Sequence, residues 1–260
     1  MMSRWLNALP FALVLALILV ALAIFATSCG SSGGSTQVRF VNAIQDTSQY
    51  GTALDIDFSG TKEFSKVEFF GYVPSSGYSS VPSGGAAIQG LEAGTTTPVF
   101  IADVSLISGK QYTMVATGFA TSGEAVIISA PDNNTAPANS KVAFRAINAS
   151  PSGPTGDGGA VDIYIVPIGS SGSLTPPATI ANLAYRSTSA YIPLTYNSNR
   201  VDGANYTMFV TATGTTTPIL LTQSLSAGTP SQGAIRTLVL TDQQNINQLN
   251  PLAIVLNDLN

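Results

Sequence analysis

The sequence predicts an all-β protein: two tandem immunoglobulin-like (Greek-key) β-sandwich domains after an N-terminal signal or anchor helix. Three observations predict it. From residue 37 onward, short apolar runs are broken about every 8 to 15 residues by Gly, Pro, Ser or Asn, the pattern of a sandwich or barrel. No later window sustains a 3.6-residue period, so no substantial helix is expected there. Short motifs of the first half also recur, in order, in the second.

The chain opens with a head carrying one cation, Arg4, and then the 17 apolar residues 9–25. They end at Ala26-Thr27-Ser28-Cys29, and a Gly/Ser run follows. A charged start, an apolar middle and small residues before a cut is the layout of a secretory signal. It resembles a bacterial lipoprotein signal with its lipobox: Thr27 and Ser28 are small, and Cys29 would carry the lipid. Ala26 departs from the usual Leu three positions before the cysteine. An uncleaved spanning helix is the alternative, since about 17 apolar residues is the lower limit for a span. Cys29 is the only cysteine, and a free thiol on an exported protein invites intermolecular disulfides; a thioether-linked lipid removes it. Residues 1–28 therefore read as a lipoprotein signal peptide, Cys29 as the lipid attachment site and residues 29–36 as a flexible tether. Gly30 is not the Asp that retains such proteins at an inner membrane. The expected location is the cell envelope, most simply the outer membrane, on its periplasmic or surface face.

Without residues 1–28 the chain keeps 9 of its 10 basic residues against 14 acidic ones. That balance argues against nucleic acid, whose binding needs clustered cations. Charged residues make up 9% of the chain, against about 25% in an ordinary soluble domain, so the surface is expected to be Ser, Thr, Asn, Gln and Gly. There is no histidine, which removes the usual general base and the commonest metal ligand.

The repeats set the domain plan. Arg39-Phe40-Val41-Asn42-Ala43 matches Arg145-Ala146-Ile147-Asn148-Ala149. Ala53-Leu54-Asp55-Ile56-Asp57 matches Ala160-Val161-Asp162-Ile163-Tyr164, and Ser76-Gly77-Tyr78 matches Ser189-Ala190-Tyr191. Gly109-x-x-Tyr112-Thr113-Met114 is matched with Gly203-x-x-Tyr206-Thr207-Met208. The four offsets are 106, 107, 113 and 94 residues. The expected domains are residues 37–130 and 141–260, with 131–140 a linker of loop composition. Period-two alternation turns Leu54, Ile56, Phe58, Val161, Ile163 and Ile165 inward and leaves Asp55, Asp57, Asp162 and Tyr164 toward water. Tyr112 and Tyr206 each resemble a tyrosine corner, which ties a Greek-key connection. Residues 252–256 are either a last edge strand of the second domain or a segment pairing between domains.

At these residues the chain resembles the DUF4397 domain family: an Arg-Val-x-[His/Asn]-Ala strand, a [Val/Leu]-Asp-[Val/Ile] strand and a late Gly-x-x-Tyr-Thr strand. The resemblance covers residues 38–128 and again 142–242. Asn42 and Asn148 stand where many members have His, and the usual following Pro occurs only as Pro151. Membership implies exported envelope β-domains, often in tandem and often lipoproteins, with no established activity.

Catalytic chemistry finds little purchase. Residues 30–34 match G-x-S-x-G, but that elbow needs a strand, a helix and a His partner, and here it lies in the tether. A Cys/His metal site is excluded by composition. Calcium needs only oxygen ligands, for which Asp55, Asp57, Asp132-Asn133-Asn134 and Asp157-Gly158-Gly159 are the candidates, without the spacing of an EF-hand. The glycosylation patterns at Asn133, Asn148 and Asn205 are discounted, since the lipobox points to a bacterial host. Phe69, Phe70, Tyr72, Tyr78, Tyr185, Tyr191 and Tyr196 either line a sugar- or peptide-binding face or fill cores. The sequence thus points to a non-enzymatic, lipid-anchored envelope protein with a structural or adhesive role and no cofactor, metal or catalytic residue. The alternative is an envelope binding module for glycan or peptide ligands, using exposed aromatics or an edge strand. No ligand-binding residue is assigned. The expected partners are the membrane, through the lipid, and an envelope protein or glycan, but not nucleic acid.

Overall fold

The computed structural model describes residues 34–45, 53–138, 140–153, 158–168, 174–196, 206–225, 233–242 and 251–259. Residues 9–25, Cys29, the tether through residue 33, Asp157 and residues 203–205 lie outside them. All regular structure described is β. The first half holds β1 (Ser35–Ile44), β2 (Leu54–Phe58), β3 (Thr61–Val67), β4 (Tyr72–Val73), β5 (Ser79–Pro82), β6 (Gly84–Glu92), β7 (Pro98–Leu106), β8 (Gln111–Gly118) and β9 (Val126–Asp132). The second holds β10 (Lys141–Asn148), β11 (Val161–Pro167), β12 (Ile180–Leu183), β13 (Ile192–Thr195), β14 (Tyr206–Ala212), β15 (Ile219–Ser224), β16 (Ile235–Asp242) and β17 (Pro251–Leu259).

Each half closes two sheets of its own. In the first, an inner sheet β4-β1-β8-β9, with β5 also paired to β1, stacks on an outer sheet β3-β2-β6-β7. In the second, the inner sheet is β13-β10-β16-β17 and the outer one β12-β11-β14-β15. Val38, Phe40, Ile56, Ile88 and Met114 share one core, and Phe144, Ile163, Met208 and Leu238 share the other. A third core lies between the two inner sheets, where Val41, Ala43, Val115 and Ile128 meet Ile147, Val239, Ile254 and Leu256. Residues 35–260 accordingly form one compact unit.

This third layer changes how the strands read. β1 pairs in parallel with β8, and β10 with β16. These four strands are buried on both faces from Arg39 onward, as parallel strands commonly are. The last strand settles both alternatives for residues 252–256. It pairs with β16 in the second half, and it sends Ile254 and Leu256 into the core shared with the first. β9 runs through Asp132, two residues into the stretch whose composition reads as a linker.

Two expectations are corrected. Asp55, Asp162 and Tyr164 do not face water: all three are buried, because turns from neighbouring strands fold over that face. Asp55 accepts the Lys66 and Gly94 amides at 2.9 and 3.2 Å; Asp162 accepts the Asn182 and Gly214 amides at 2.7 and 2.8 Å. Lys66 and Asn182 share a left-handed backbone (φ 52° and 51°), as do Gly94 and Gly214 (78° and 73°). Each carboxylate therefore staples two left-handed turns to its strand, one of them strained because its left-handed residue is not glycine.

The second correction concerns the repeat. Tyr112 lies on β8 and Tyr206 on β14, strands in different sheets, so they are not counterparts. The counterpart of β8 is β16, since Arg39 pairs with Thr113 and Arg145 with Thr237. The true match for the segment before β15 is Gly94-Thr-Thr-Thr-Pro98 with Gly214-Thr-Thr-Thr-Pro218, an offset of 120. In both, the first Thr caps the turn by bonding the carbonyl three residues back, at 3.0 and 2.8 Å. Tyr112 does make a local corner, its hydroxyl accepting the Ile107 amide at 3.2 Å, whereas Tyr206 reaches across to the Thr195 carbonyl.

Burial alone would raise the Asp55 pKa, but the hydrogen bonds from Lys62, Lys66 and Gly94 outweigh it and hold the carboxyl below its ordinary value. A lowered carboxylate pKa contributes stability above the unfolded-state value, about 4, that is lost as pH falls through the folded one. Denaturation midpoints at pH 7 and pH 3 should therefore fall further apart in the native chain than in Asp55→Asn. Equal acid losses in the two would remove the staple from the account.

Candidate functional site

The densest set of chemically capable side chains lies at one end of the junction between the inner sheets. On β1 the odd-numbered residues turn away from the first core, so Arg39 enters this junction beside Val41 and Ala43; Arg145 does the same on β10. Arg39 Nε donates to Thr113 Oγ1 at 2.9 Å, and Arg145 Nε to Thr237 Oγ1 at 2.8 Å. Arg39 Nη1 donates to the Asn257 carbonyl at 3.0 Å, and Arg145 Nη1 to the Pro131 carbonyl at 2.8 Å.

The carboxylates are exchanged between the halves. Arg39 Nη2 binds Asp258, at the end of β17, and Arg145 Nη2 binds Asp132, at the end of β9. Asp132 also lies 3.7 Å from Arg39. Tyr78 covers Arg39 at 5.1 Å from ring centroid to guanidinium, and Tyr191 covers Arg145 at 4.7 Å. Their hydroxyls close the ring of bonds, Tyr78 donating to Asp132 at 2.6 Å and Tyr191 to Asp258 at 2.8 Å. All four charged side chains are almost fully buried.

Burial works against the Arg39 charge, and the fields of Asp258 and Asp132 more than offset it, so its pKa is raised. Tyr78 and Tyr191 are pushed well above the ordinary phenol value, first by burial and then by the adjacent carboxylates. Arg39 keeps its proton, and neither tyrosine has a phenolate within reach at neutral pH. The cluster holds charge in place and does not move it.

At the other end of the junction Gln45 donates to Thr241 Oγ1 at 3.0 Å and to the Asp242 carbonyl at 3.1 Å, while Thr117 donates to the Ala149 carbonyl at 2.7 Å. Asn42 and Asn148 are fully buried. Each side-chain amide crosses to the outer sheet, Asn42 to the Val67 carbonyl and Asn148 to the Leu183 carbonyl, both at 3.0 Å. These asparagines are inter-sheet ties.

The residues singled out in the sequence scatter. Tyr78 and Tyr191 belong to the arginine cluster, Tyr196 packs on the second core, and Tyr185 lies under Arg186. Phe70 and Tyr72 stay exposed, at 36% and 37%, and Tyr72 borders a cleft of about 180 Å³ beside Ser75, Ser76 and Asn257. Of the calcium candidates, Asp132 is taken by arginine and Asp55 by the turn and Lys62. Among the described residues no three Cys, His, Asp or Glu side chains gather into a metal site. The sequence reading missed Arg39, Arg145, Asp132 and Asp258 as one unit. The available signal was an arginine in the middle of an apolar run, twice.

Asp258→Ala leaves the Arg39 guanidinium buried without its principal partner, and breaking a buried pair this way costs about 3–5 kcal/mol. Urea denaturation should register that loss, and 1 M salt should scarcely change it, since buried pairs are weakly screened. A cost of about 0.5 kcal/mol, typical of an exposed pair, would count against the cluster. In a spectrophotometric titration Tyr78 and Tyr191 should ionise only as the protein unfolds, and ionisation of all nine tyrosines near pH 10 would contradict the geometry.

A family model described as Domain of unknown function (DUF4397) matches residues 36–164, which is the first half together with β10 and most of β11. No curated protein matches the chain. Among solved structures, the Bacillus anthracis TIE protein aligns at 12% identity and a TM-score of 0.25, over 82% of this chain and 34% of that one. A leucine-rich repeat protein from Bacteroides thetaiotaomicron VPI-5482 aligns at 12% identity and a TM-score of 0.21, over 82% and 27%. This chain spans about a third of the first and a quarter of the second. The chain is a DUF4397 domain-containing protein.

Proposed function

We propose that this protein is a non-enzymatic module of the bacterial cell envelope, lipid-anchored through Cys29 at the outer membrane and structural or adhesive in role. One observation carries the reading. The arginines, carboxylates and tyrosines that could have formed a reactive centre are buried and bonded to one another, tying the first strand to the last across 219 residues. Side chains committed to that junction support a rigid load-bearing body and leave none of them free to turn over a substrate. The low charge of the chain and its lack of histidine support the same reading.

The second reading, a binding module for glycan or peptide, is favoured by the exposed Tyr72 on the cleft next to Arg39, with the exposed Phe70 two residues before it. A glycan array and a peptide panel compared between the native chain and Tyr72→Ala test it; signal that is absent, or indifferent to the substitution, sinks it.

For the leading reading, metabolic labelling with a palmitate analogue should mark the native chain and not Cys29→Ser, and outer-membrane fractions should lose the variant. Deletion should weaken envelope integrity or surface attachment. A deletion silent under every envelope stress, or hydrolase activity in the purified chain, would overturn it.

A further inference from the structure

Strand register fixes which residues of the two halves correspond. Ile88 pairs with Phe58, and Met208 pairs with Ile165, so Ala86 and Tyr206, each two residues earlier, are counterparts. Val81 and Pro82 pair with Thr36 and Ser35, and Leu194 and Thr195 with Val142 and Lys141, which makes Pro82 the counterpart of Thr195. In the second half the Tyr206 ring is driven into the core, 4% exposed. It packs edge-on against Phe144 at 5.5 Å between centroids, and its hydroxyl donates to the Thr195 carbonyl. The first half has Ala86 in place of that tyrosine and Val38 in place of Phe144.

A methyl group where a phenol stands leaves space, and the space is there. A cavity of about 360 Å³ opens between the β2–β3 hairpin and the β5–β6 crossing. Phe58, Val81 and Ala86 form its buried apolar floor, Pro82 lines it, and Ser59 and Glu63 stand on its rim. An apolar cavity of about 150 Å³ holds benzene, and small-molecule pockets begin at about 300 Å³. The size therefore suits one substituted aromatic ring.

We propose that this cavity binds a small neutral phenol, which takes the place that Tyr206 fills in the second half. The ring lies on Phe58, Val81 and Ala86, and the hydroxyl donates to the Pro82 carbonyl as Tyr206 does to Thr195. The Glu63 carboxylate on the rim disfavours phenolic acids. The site is independent of the arginine cluster and of the anchor.

The probe is p-cresol, titrated into the full chain by calorimetry and ligand-observed NMR, with 4-methylcyclohexanol as its saturated analogue. One molecule should bind per chain, and the saturated analogue should bind about tenfold more weakly. Ala86→Tyr, which fills the cavity from within, should lose the site while keeping its melting temperature. Tyr206→Ala should melt earlier, gain a second p-cresol site and recover stability as p-cresol is added. Absence of binding to the native chain, binding that survives Ala86→Tyr, or equal affinity for the two probes would each overturn the proposal. Should Ala86→Tyr fail to fold, the Tyr206→Ala stoichiometry decides alone: two sites support the assignment and one refutes it.

Discussion

The exchange of carboxylates between the inner sheets is the constraint on which the rest of this structure depends. Arg39 of the first half takes Asp258 of the second, and Arg145 of the second takes Asp132 of the first. The contact is isologous in form, the same patch meeting itself about a pseudo-twofold axis, though one chain supplies both sides. Four buried charges are a poor source of net stability, because desolvation offsets their attraction. The driving force lies in the apolar layer beside them, Val41, Val115, Ile147, Val239 and their neighbours. What the charges add is register. A slip of one residue along either inner sheet would turn Arg39 or Arg145 toward its own hydrophobic core and leave a carboxylate buried alone.

The two halves keep the same fastenings and fill their cores differently. Each has a buried aspartate holding two left-handed turns, a buried asparagine crossing between sheets, and a tyrosine lying over an arginine. The cores between these fastenings are less alike. In the first, Phe40 stacks near Phe100, and the Phe100 ring occupies the space a side chain would need at Gly90. In the second, Phe144 and Tyr206 supply the aromatic volume from other positions. Polar fastenings require particular atoms at particular distances, whereas an apolar core requires volume and tolerates its redistribution. That is why the short polar motifs betray the duplication while the apolar strands hide it.

The same difference governs what can be read in the sequence. Turn composition and alternation reveal the all-β class, and Tyr78 and Tyr191 are recognisable as counterparts from the residues around them. The burial of Asp55 and Asp162 is not legible, because alternation within a strand says nothing about a turn that arrives from another one. The pairing of Tyr112 with Tyr206 is a chance match of Tyr-Thr-Met. Its offset of 94 breaks a series that otherwise climbs through 106, 107 and 113, then to 120 at the Gly-Thr-Thr-Thr-Pro turn and 124 at β8 and β16. The arginine cluster is hidden for a deeper reason. Nothing near Arg39 in the chain announces that its face will be covered, since its partner is 219 residues away.

That distance bears on mechanics. Were the halves joined only through residues 133–140, a pull on the first would reach the second through a single connecting segment. β1 instead carries Arg39, four residues after its start, and Arg39 is bonded to β17, the last strand described. Thr113 joins both arginines to Asp132 from the adjoining β8. Under the proposed anchoring at Cys29, load delivered through the tether enters at β1 and is shared at once with β8, β10 and β17. The second half then resists displacement from the outset, as one body with the first. A duplicated domain gains little reach from such an arrangement and gains stiffness instead, which is the property a structural or adhesive envelope protein requires.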